Sequence, residues 1–421
     1  MLVFKFGGAS VKTSGGILNL AHIVESFKEP LVIVVSAFGK TTNSLEKIHD
    51  QAFKNQSFET EFNTLKEYHF TILKELFQQE KHPAFAEIEK EFDLMRSILL
   101  KEDKGAYDQQ YDQIVSFGEV LSTKIVSAFL NERGNKNRWI DIRKHLKTDN
   151  TWREAVVDWD ISERLVKETF DFKKEKIYLT QGFLGFEDNG LTTTLGREGS
   201  DYTAAILAHI LGAEKVVIWK DVPGVLNADP KYFDNTVRLG QLSYLDAIEL
   251  AYYGASVIHP KTIKPLQNKG IKLHVKSFVY PNDPGTIIGD VQYESLIPSF
   301  IFKMDQVLLH ISPRDFSFIA EASLTDIFET FSRHGIRINL MQNSAVNFMA
   351  LVNNRMERIQ ELVNDLEKTF NVTYEQGLEL ITIRYYDTAT IDRVMINKEL
   401  VLEQKNQRTI QLVVKDKGNE Q

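Results

Sequence analysis

Leu2-Val3-Phe4-Lys5-Phe6-Gly7-Gly8-Ala9-Ser10 decides how the N-terminal part of this 421-residue chain is read. Five residues of β-forming character run into a glycine pair. Ile17, Leu20, Ala21, Val24 and Phe27 then recur at helical spacing, before the apolar run Leu31 to Val35. Strand, turn, helix and strand in that order are the unit of a sheet covered by helices. Further buried-strand candidates are Lys176 to Leu179, Lys215 to Trp219 and Ile271 to Phe278, each leading into a polar loop, so an α/β fold with a parallel or mixed sheet is expected to about Gly289. From about 57 to 104 the texture changes. Phe62, Leu65, Phe70, Leu73, Leu76 and Phe77, then Phe85, Ile88, Phe92 and Met95, punctuate charged residues and predict an inserted helical pair with a core-packing stripe.

Past Pro298 the pattern starts afresh. Val307 to Ser312 reads as a strand, Leu324, Phe328 and Phe331 as a helix, and Ile336 to Leu340 and Phe348 to Val352 as strands. Ile359, Leu362, Val363, Leu366 and Phe370 mark a second helix, and Leu378 to Tyr385 a last strand. That βαββαβ order is the ferredoxin-like α+β unit. A second copy does not fit after Asp387, where a short helix candidate and two strand candidates, Leu400 to Glu403 and Thr409 to Lys415, remain. The expected division is therefore 1–297 and 298–421, the latter with a first unit over 303–386 and a reduced second unit over 387–421.

Composition narrows the function. A net charge of −8 without a long basic run gives no footprint for nucleic acid or an anionic membrane, so neither is expected as a partner. Zero cysteines exclude disulfides and thiolate metal sites, and the ten histidines show no HExxH or similar ligand spacing; no residue is put forward as a metal ligand. No signal peptide and no run of roughly 20 apolar residues is read, so a cytoplasmic protein is expected.

Three stretches carry chemistry. Lys5 stands one residue before Gly7-Gly8, where backbone N–H groups can approach a phosphate, although the same strand, turn and helix also occur purely for packing. Gly39-Lys40-Thr41 resembles the end of a Walker A loop, but Val34 occupies the place of its first glycine. Thr192-Thr193-Thr194-Leu195-Gly196-Arg197-Glu198-Gly199-Ser200-Asp201 precedes Ala204, Ala205 and Ala208; Ser200 and Asp201 read as N-caps, and the run reads equally as a capped helix or an anion site. Lys220-Asp221-Val222-Pro223-Gly224-Val225-Leu226-Asn227-Ala228-Asp229-Pro230-Lys231 follows a strand, as a ligand loop or as two plain turns. Glu119, in Ser116-Phe117-Gly118-Glu119, would by pattern alone be a solvated acid.

In this order, Lys5 to Ser10, Ser116 to Glu119, Gly196 to Asp201, Lys220 to Lys231 and His259-Pro260-Lys261 resemble the spaced motifs KFGGTS, SFGE, GRGGSD, TDVDG…TADPR and HPK of the aspartokinases, within the amino acid kinase superfamily. Val34-Val35-Ser36-Ala37 with Thr42-Asn43, Gln181-Gly182-Phe183 and Asp283-Pro284-Gly285-Thr286 extend the likeness over nearly the whole chain. Arg333-His334-Gly335-Ile336 through Ser344 is most like the lysine-sensitive monofunctional type, and the C-terminal unit resembles an ACT module.

The resemblance implies a three-layer kinase sheet with helices on both faces and an ACT-like region. It implies transfer of the γ-phosphoryl of ATP, with Mg²⁺, to the β-carboxylate of L-aspartate, the first step toward lysine, threonine and methionine. Lys5 would meet the transferring phosphoryl group, with Gly7, Gly8 and Ser10 at the phosphates and Asp201 orienting Lys5 or the Mg²⁺ environment. Arg197 would grip a substrate carboxylate and Glu119 the ammonium, with Ser36, Thr42, Phe183, Gly199 and Ser200 beside them. Lys220, Asp221, Leu226, Lys231 and Lys261 would line the nucleotide. A homodimer formed through the C-terminal region and a lysine or threonine effector are also implied. Departures stand out: Ala9 replaces Thr, Glu198 Gly, Lys220 Thr or Ser, Leu226 an aromatic residue and Lys231 Arg, while Ala322 and Asn339 stand where the lysine-sensitive type commonly has Gly and Asp. Competing readings are a glutamate, acetylglutamate, carbamate or UMP kinase, and a catalytically inactive amino-acid sensor. A fused homoserine dehydrogenase is not expected.

Overall fold

The computed structural model describes residues 1–417 except 80, 104, 256, 257, 292, 294, 295 and 316. Lys104, the expected end of the helical insertion, and the last four residues of the C-terminal region lie outside the described residues. The chain forms two compact units, one of Met1–Val225, Arg238–Ala251 and Ser256–Tyr293, the other of Leu226–Val237, Tyr252–Ala255 and Glu294–Gln421.

The first unit opens with β1 (Leu2–Phe6), α1 (Ser14–Glu25) and β2 (Leu31–Val35), followed by the helices α2 (Thr41–Phe53), α3 (Glu59–Leu76), α4 (Pro83–Leu99), α5 (Tyr107–Val115) and α6 (Phe117–Glu132). Next come β3 (Arg138–Ile140), α7 (Trp159–Thr169), β4 (Ile177–Gln181), the short pair β5 (Leu184–Phe186) and β6 (Thr192–Thr194), α8 (Gly199–Leu211) and β7 (Lys215–Lys220). β8 (Gln241–Ser243), α9 (Tyr244–Tyr253), α10 (Pro260–Lys269), β9 (Lys272–Ser277) and β10 (Thr286–Gly289) follow. The main sheet has the order β3-β4-β2-β1-β7-β9-β10-β8, parallel except where β10 meets β9.

Its central strands are buried on both faces, as parallel strands under helices must be. Phe4, Phe6, Ile33 and Val35 share one core with apolar side chains of α1 to α6. Phe62, Leu65, Leu73, Ile88, Phe92 and Met95 of the inserted pair belong to that same core. Val3, Val32, Val34, Val216 and Ile218, on the other face, are also fully buried, and α8 lies along β1, β2 and β7. Ala204, Ala205 and Ala208, all fully buried, let α8 approach the strands closely. The continuous helical stretch Tyr107–Glu132 corrects one expectation, since it is long and apolar enough to cross a bilayer by length and composition. However, 83% of its most apolar window is buried inside the protein, as in a core helix.

The second unit contains β11 (Ser299–Pro313), α11 (Glu321–Arg333), β12 (Ile338–Asn343), β13 (Phe348–Asn353), α12 (Met356–Leu366), β14 (Phe370–Arg384), α13 (Thr388–Val394), β15 (Lys398–Lys405) and β16 (Thr409–Asp416). The βαββαβ order of its first part stands, in a sheet ordered β12-β13-β11-β14-β16-β15. Two boundaries differ from the sequence reading. β11 starts at Ser299 rather than Val307, and Phe370 begins β14 rather than ending a helix. Both strands are 15 residues long and pair along their whole length, with irregular register around Gln306. Their far halves complete a second core: Phe300, Ile381 and Ile383 pack with Val394 of α13 and Ile410 and Leu412 of β16. The last unit is therefore more than a hairpin. Local periodicity missed it because its outer strand lies before the first ferredoxin-like unit in sequence and joins it only in space.

Candidate active site

Alternation along β1 turns Lys5 away from Phe4 and Phe6 and toward α8. Its Nζ lies 2.6 Å from Asp201 Oδ1, and Lys220 Nζ, at the end of β7, lies 3.5 Å from Asp201 Oδ2. Asp201, in the first turn of α8, is almost completely buried. Burial pushes its carboxyl up, but Lys5 and Lys220 outweigh that and hold it below the ordinary carboxylate range. The trio sits between β1 and β7, where the chain leaves β1 for neighbours on opposite sides of the sheet, the crevice in which open α/β folds bind ligands.

The glycine turn after β1 is pressed against the turn after β2. A Cβ on Gly8 would sit 2.2 Å from the Ala37 carbonyl oxygen, so only glycine fits. Ser10 N–H donates to Gly7 O at 3.0 Å and Ser36 N–H to Phe6 O at 3.1 Å, tying the two turns to the strand ends. Ala37 N–H donates at 3.3 Å to Glu119 Oε1, in the first turn of α6. Glu119 is 4% exposed, which corrects the pattern-based expectation of a solvated acid. A Cβ at Gly118 would meet Ala37 Cβ at 2.9 Å, and this close approach carries the acid inward. Burial pushes the Glu119 carboxyl up to about 8, against the opposing Ala37 and Glu119 N–H groups and the Lys5 charge. Its Oε2 is buried without a hydrogen-bond partner.

On the other side, β6 leads through Leu195-Gly196-Arg197-Glu198 into α8. Cβ atoms built at Gly182 and Gly199 would lie 2.4 Å from Ser200 Cβ and 2.6 Å from Phe183 Cδ2, so the helix start is packed backbone to backbone against the end of β4. Phe183 has φ 70°, donates from its N–H to Thr203 Oγ1 at 2.9 Å and accepts from Leu195 N–H at 2.8 Å. The expected caps are corrected. Glu198, not Ser200 or Asp201, is the N-cap, with φ 55° and no side-chain capping bond, and the other two lie in the first helical turn. Glu198 Oε2 is also buried without a partner. Arg197 is exposed, and no carboxylate lies within ion-pair distance of it among the described residues.

The remaining expected residues are less gathered. Thr42 is half-buried in the first turn of α2, and Asp221 is exposed just past β7. Lys261 is exposed at the start of α10, behind His259, whose Nδ1 accepts from the Lys261 N–H at 3.2 Å. It lines a cavity of about 440 Å³ with Trp159, Tyr202, His209 and Lys264. Leu226 and Lys231 belong to the second unit. Sequence reasoning missed Asp112 and Gln113, which bond to β6; their only signal is that they stand just ahead of Ser116 to Glu119. Among the described residues no group of three or more acids and histidines is placed to hold a metal ion.

The profile of the amino acid kinase family matches residues 1–277. The chain is 30% identical over 397 residues to the lysine-sensitive aspartokinase 3 of Escherichia coli (strain K12), covering 91% of this chain and 86% of the relative. Crystal structures of E. coli aspartokinase III, one with aspartate and ADP in the R-state and one with lysine and aspartate in the T-state, each superpose with a TM-score of 0.81 at 26% identity, covering 99% of this chain and 96% of theirs. With the motifs in family order, the glycine turn and the buried Lys5–Asp201 pair at the sheet crevice, these matches place the chain in the aspartokinase family, as a phosphotransferase that acts on a carboxylate.

Proposed function

We propose that this chain transfers the γ-phosphoryl group of MgATP to the β-carboxylate of L-aspartate, giving 4-phospho-L-aspartate, with the named residues in the roles that follow. The observation that carries this reading is the division of charge: the buried Lys5 and the half-buried Lys220 converge on Asp201 beside the glycine turn, while the buried Glu119 carboxyl has no ion-pair partner among the described residues. Lys5, held by Asp201, stabilises charge on the transferring phosphoryl oxygens. Lys220 shares that carboxylate, and Gly7, Gly8 and Ser10 shape the backbone that faces the phosphates. Glu119 takes the substrate ammonium and Arg197 its α-carboxylate, a planar fork that matches a carboxylate bidentately. Ser36, Thr42, Phe183, Gly199 and Ser200 border the substrate. The acceptor β-carboxylate is already ionised near neutral pH, so no general base is required. Asp221, Lys261, Leu226 and Lys231 are proposed for the nucleotide on resemblance alone.

Asp201 fits a Mg²⁺ ion carried by the ATP phosphates and water better than an all-protein cage, because it is the one carboxylate of the cluster and is shared by two lysines. When bound, the ion would neutralise phosphate charge. A coupled ADP-release assay with aspartate, glutamate, acetylglutamate, UMP and no acceptor tests the reading. Turnover confined to aspartate is expected; turnover with another acceptor, or none at all, would sink it.

Control is proposed to differ from that of the lysine-sensitive type. Asn339 already spends its carboxamide inside the second unit: Oδ1 accepts from Lys303 Nζ at 2.9 Å, and Nδ2 donates to Gln306 Oε1 at 2.7 Å and Asn353 Oδ1 at 2.8 Å. An amide so engaged offers an effector ammonium no charge, its oxygen already faces the Lys303 ammonium, and Ala322 replaces a flexible glycine. Weak or absent lysine inhibition is expected, with threonine the next effector to assay. Half-inhibition by lysine below about 1 mM would overturn this. The edge strands β12 and β15 leave ladder groups for a partner copy, so a homodimer is proposed, testable by light scattering.

A further inference from the structure

β6 pairs with β5 along one edge and, among the described residues, has no strand on the other. That open edge is closed by side chains of α5. Thr192 N–H donates to Gln113 Oε1 at 3.1 Å, and Gln113 Nε2 returns a bond to Thr192 O at 2.8 Å. Asp112 Oδ2 accepts from Thr194 N–H at 2.9 Å and from Arg153 N–H at 3.1 Å, while its Oδ1 accepts from Thr194 Oγ1 at 2.8 Å. Ala155 N–H donates to Thr194 O at 2.9 Å. An amide and a carboxylate on one helical turn thus stand in for a neighbouring strand, matching donors and acceptors at alternate residues of β6, as a ladder would.

A neutral side chain would be the cheaper way to satisfy such an edge, because a fully buried carboxylate is expensive. Burial pushes Asp112 up to about 6, even with its three donors and the Arg153 charge favouring ionisation. What this acid does, and a single amide oxygen cannot do equally well, is grip Thr194 and the 153 backbone at once. Thr194 lies three residues before Arg197 and six before Ser200. A shift of β6 therefore reaches both with little chain to absorb it.

We propose that Asp112, assisted by Gln113, is a positioning residue for aspartate recognition: it sets the register of β6 and thereby the place from which Arg197 meets the substrate carboxylate. This rests on the assignment of Arg197 made above. Asp201 follows Ser200, but the Lys5 and Lys220 ammonium groups hold it from β1 and β7, so nucleotide binding is expected to respond less than aspartate binding.

The test is steady-state kinetics on the full-length protein, with both substrates varied, for Asp112→Asn, Gln113→Ala, Arg197→Ala and the Asp112→Asn/Arg197→Ala double variant. Asp112→Asn is expected to raise the aspartate KM about 10-fold and leave the ATP KM within about twofold, with Gln113→Ala doing the same more weakly. The double variant should lose less than the product of the single effects, since a misplaced arginine has less to lose. Equal KM changes for both substrates, or multiplicative effects in the double variant, would reduce Asp112 to a fold-stabilising acid and overturn the proposal. If Arg197→Ala raises the aspartate KM while Asp112→Asn and Gln113→Ala leave it unchanged, this inference alone fails. If Arg197→Ala leaves it unchanged, the underlying substrate assignment fails. Should Asp112→Asn not fold, Gln113→Ala with its own Arg197→Ala double variant decides the question.

Discussion

The two sides of the candidate active site treat charge in opposite ways. Around Lys5, Asp201 and Lys220 the ions satisfy one another, with one buried carboxylate between two ammonium groups. Around Glu119 and Arg197 they do not: the acid is buried with an orphan oxygen and a carboxyl pushed up to about 8, and the arginine has no carboxylate partner among the described residues. Paired buried ions hold a geometry fixed before the substrate arrives, as electrostatic preorganisation requires. An acid buried without a counter-ion is costly to ionise in the free protein and is relieved when an ammonium group arrives, while the exposed Arg197 fork stays open to a carboxylate. The difference fits the proposed division of transition-state work to the first side and substrate recognition to the second, and mutations should separate the two.

The largest effect is expected on the paired side. Lys5→Ala removes a cation aimed at the phosphoryl group and strands Asp201 beside Lys220 alone. It should lower kcat by about 10²-fold or more with a smaller change in aspartate KM. Near-normal kcat in a stopped or coupled assay would remove Lys5 from the mechanism.

On the unpaired side the loss should fall on KM. Glu119→Gln and Arg197→Ala are each expected to raise the aspartate KM about 10-fold or more, the scale of a lost charge-assisted contact, while the ATP KM moves little. If both substrates weaken alike, the contrast between the two sides collapses.

A pH series sharpens the same contrast. Because the Glu119 carboxyl is raised from 4.5 to about 8, the folded protein holds a proton there that the unfolded chain has lost. This contribution to stability is full below about 4.5 and disappears as pH rises through about 8. Ligand-free melting temperature should therefore fall from pH 6 to pH 9, less steeply in Glu119→Gln. Over the same interval the wild-type aspartate KM should drop several-fold as the Glu119 carboxylate forms. Parallel curves for wild type and Glu119→Gln would refute the assignment.

The smallest effect concerns Glu198, a non-glycine residue in the left-handed region with a buried, unpartnered carboxylate oxygen, where the family motif has glycine. Left-handed backbone at such a residue costs on the order of 1 kcal/mol. Glu198→Gly should raise the melting temperature by about 1–2 °C, by the unfolding entropy of a unit of this size. A lower melting temperature would mean that Glu198 makes a stabilising contact that outweighs its strain.

Much of this molecule is written locally. The β-forming run Leu2 to Phe6, the glycine pair and the 3.6-residue spacing from Ile17 to Phe27 determined a strand, turn and helix before any contact was known, because these patterns follow from backbone geometry alone. Likewise the alanines of α8, the paired glycines and the order of the motifs could be read along the chain, and with them the family. Tertiary structure alone decided what depends on residues distant in sequence. Glu119 looked like a surface acid until Gly118 brought its helix against Ala37. Asp201 looked like a cap until Lys5 and Lys220 closed on it from β1 and β7. Ser299 to Lys303 joined the last unit only by pairing with residues 380–384, some eighty positions later. Asp112 carried no motif, because its purpose is to complete a strand edge, and an edge exists only after the sheet has formed.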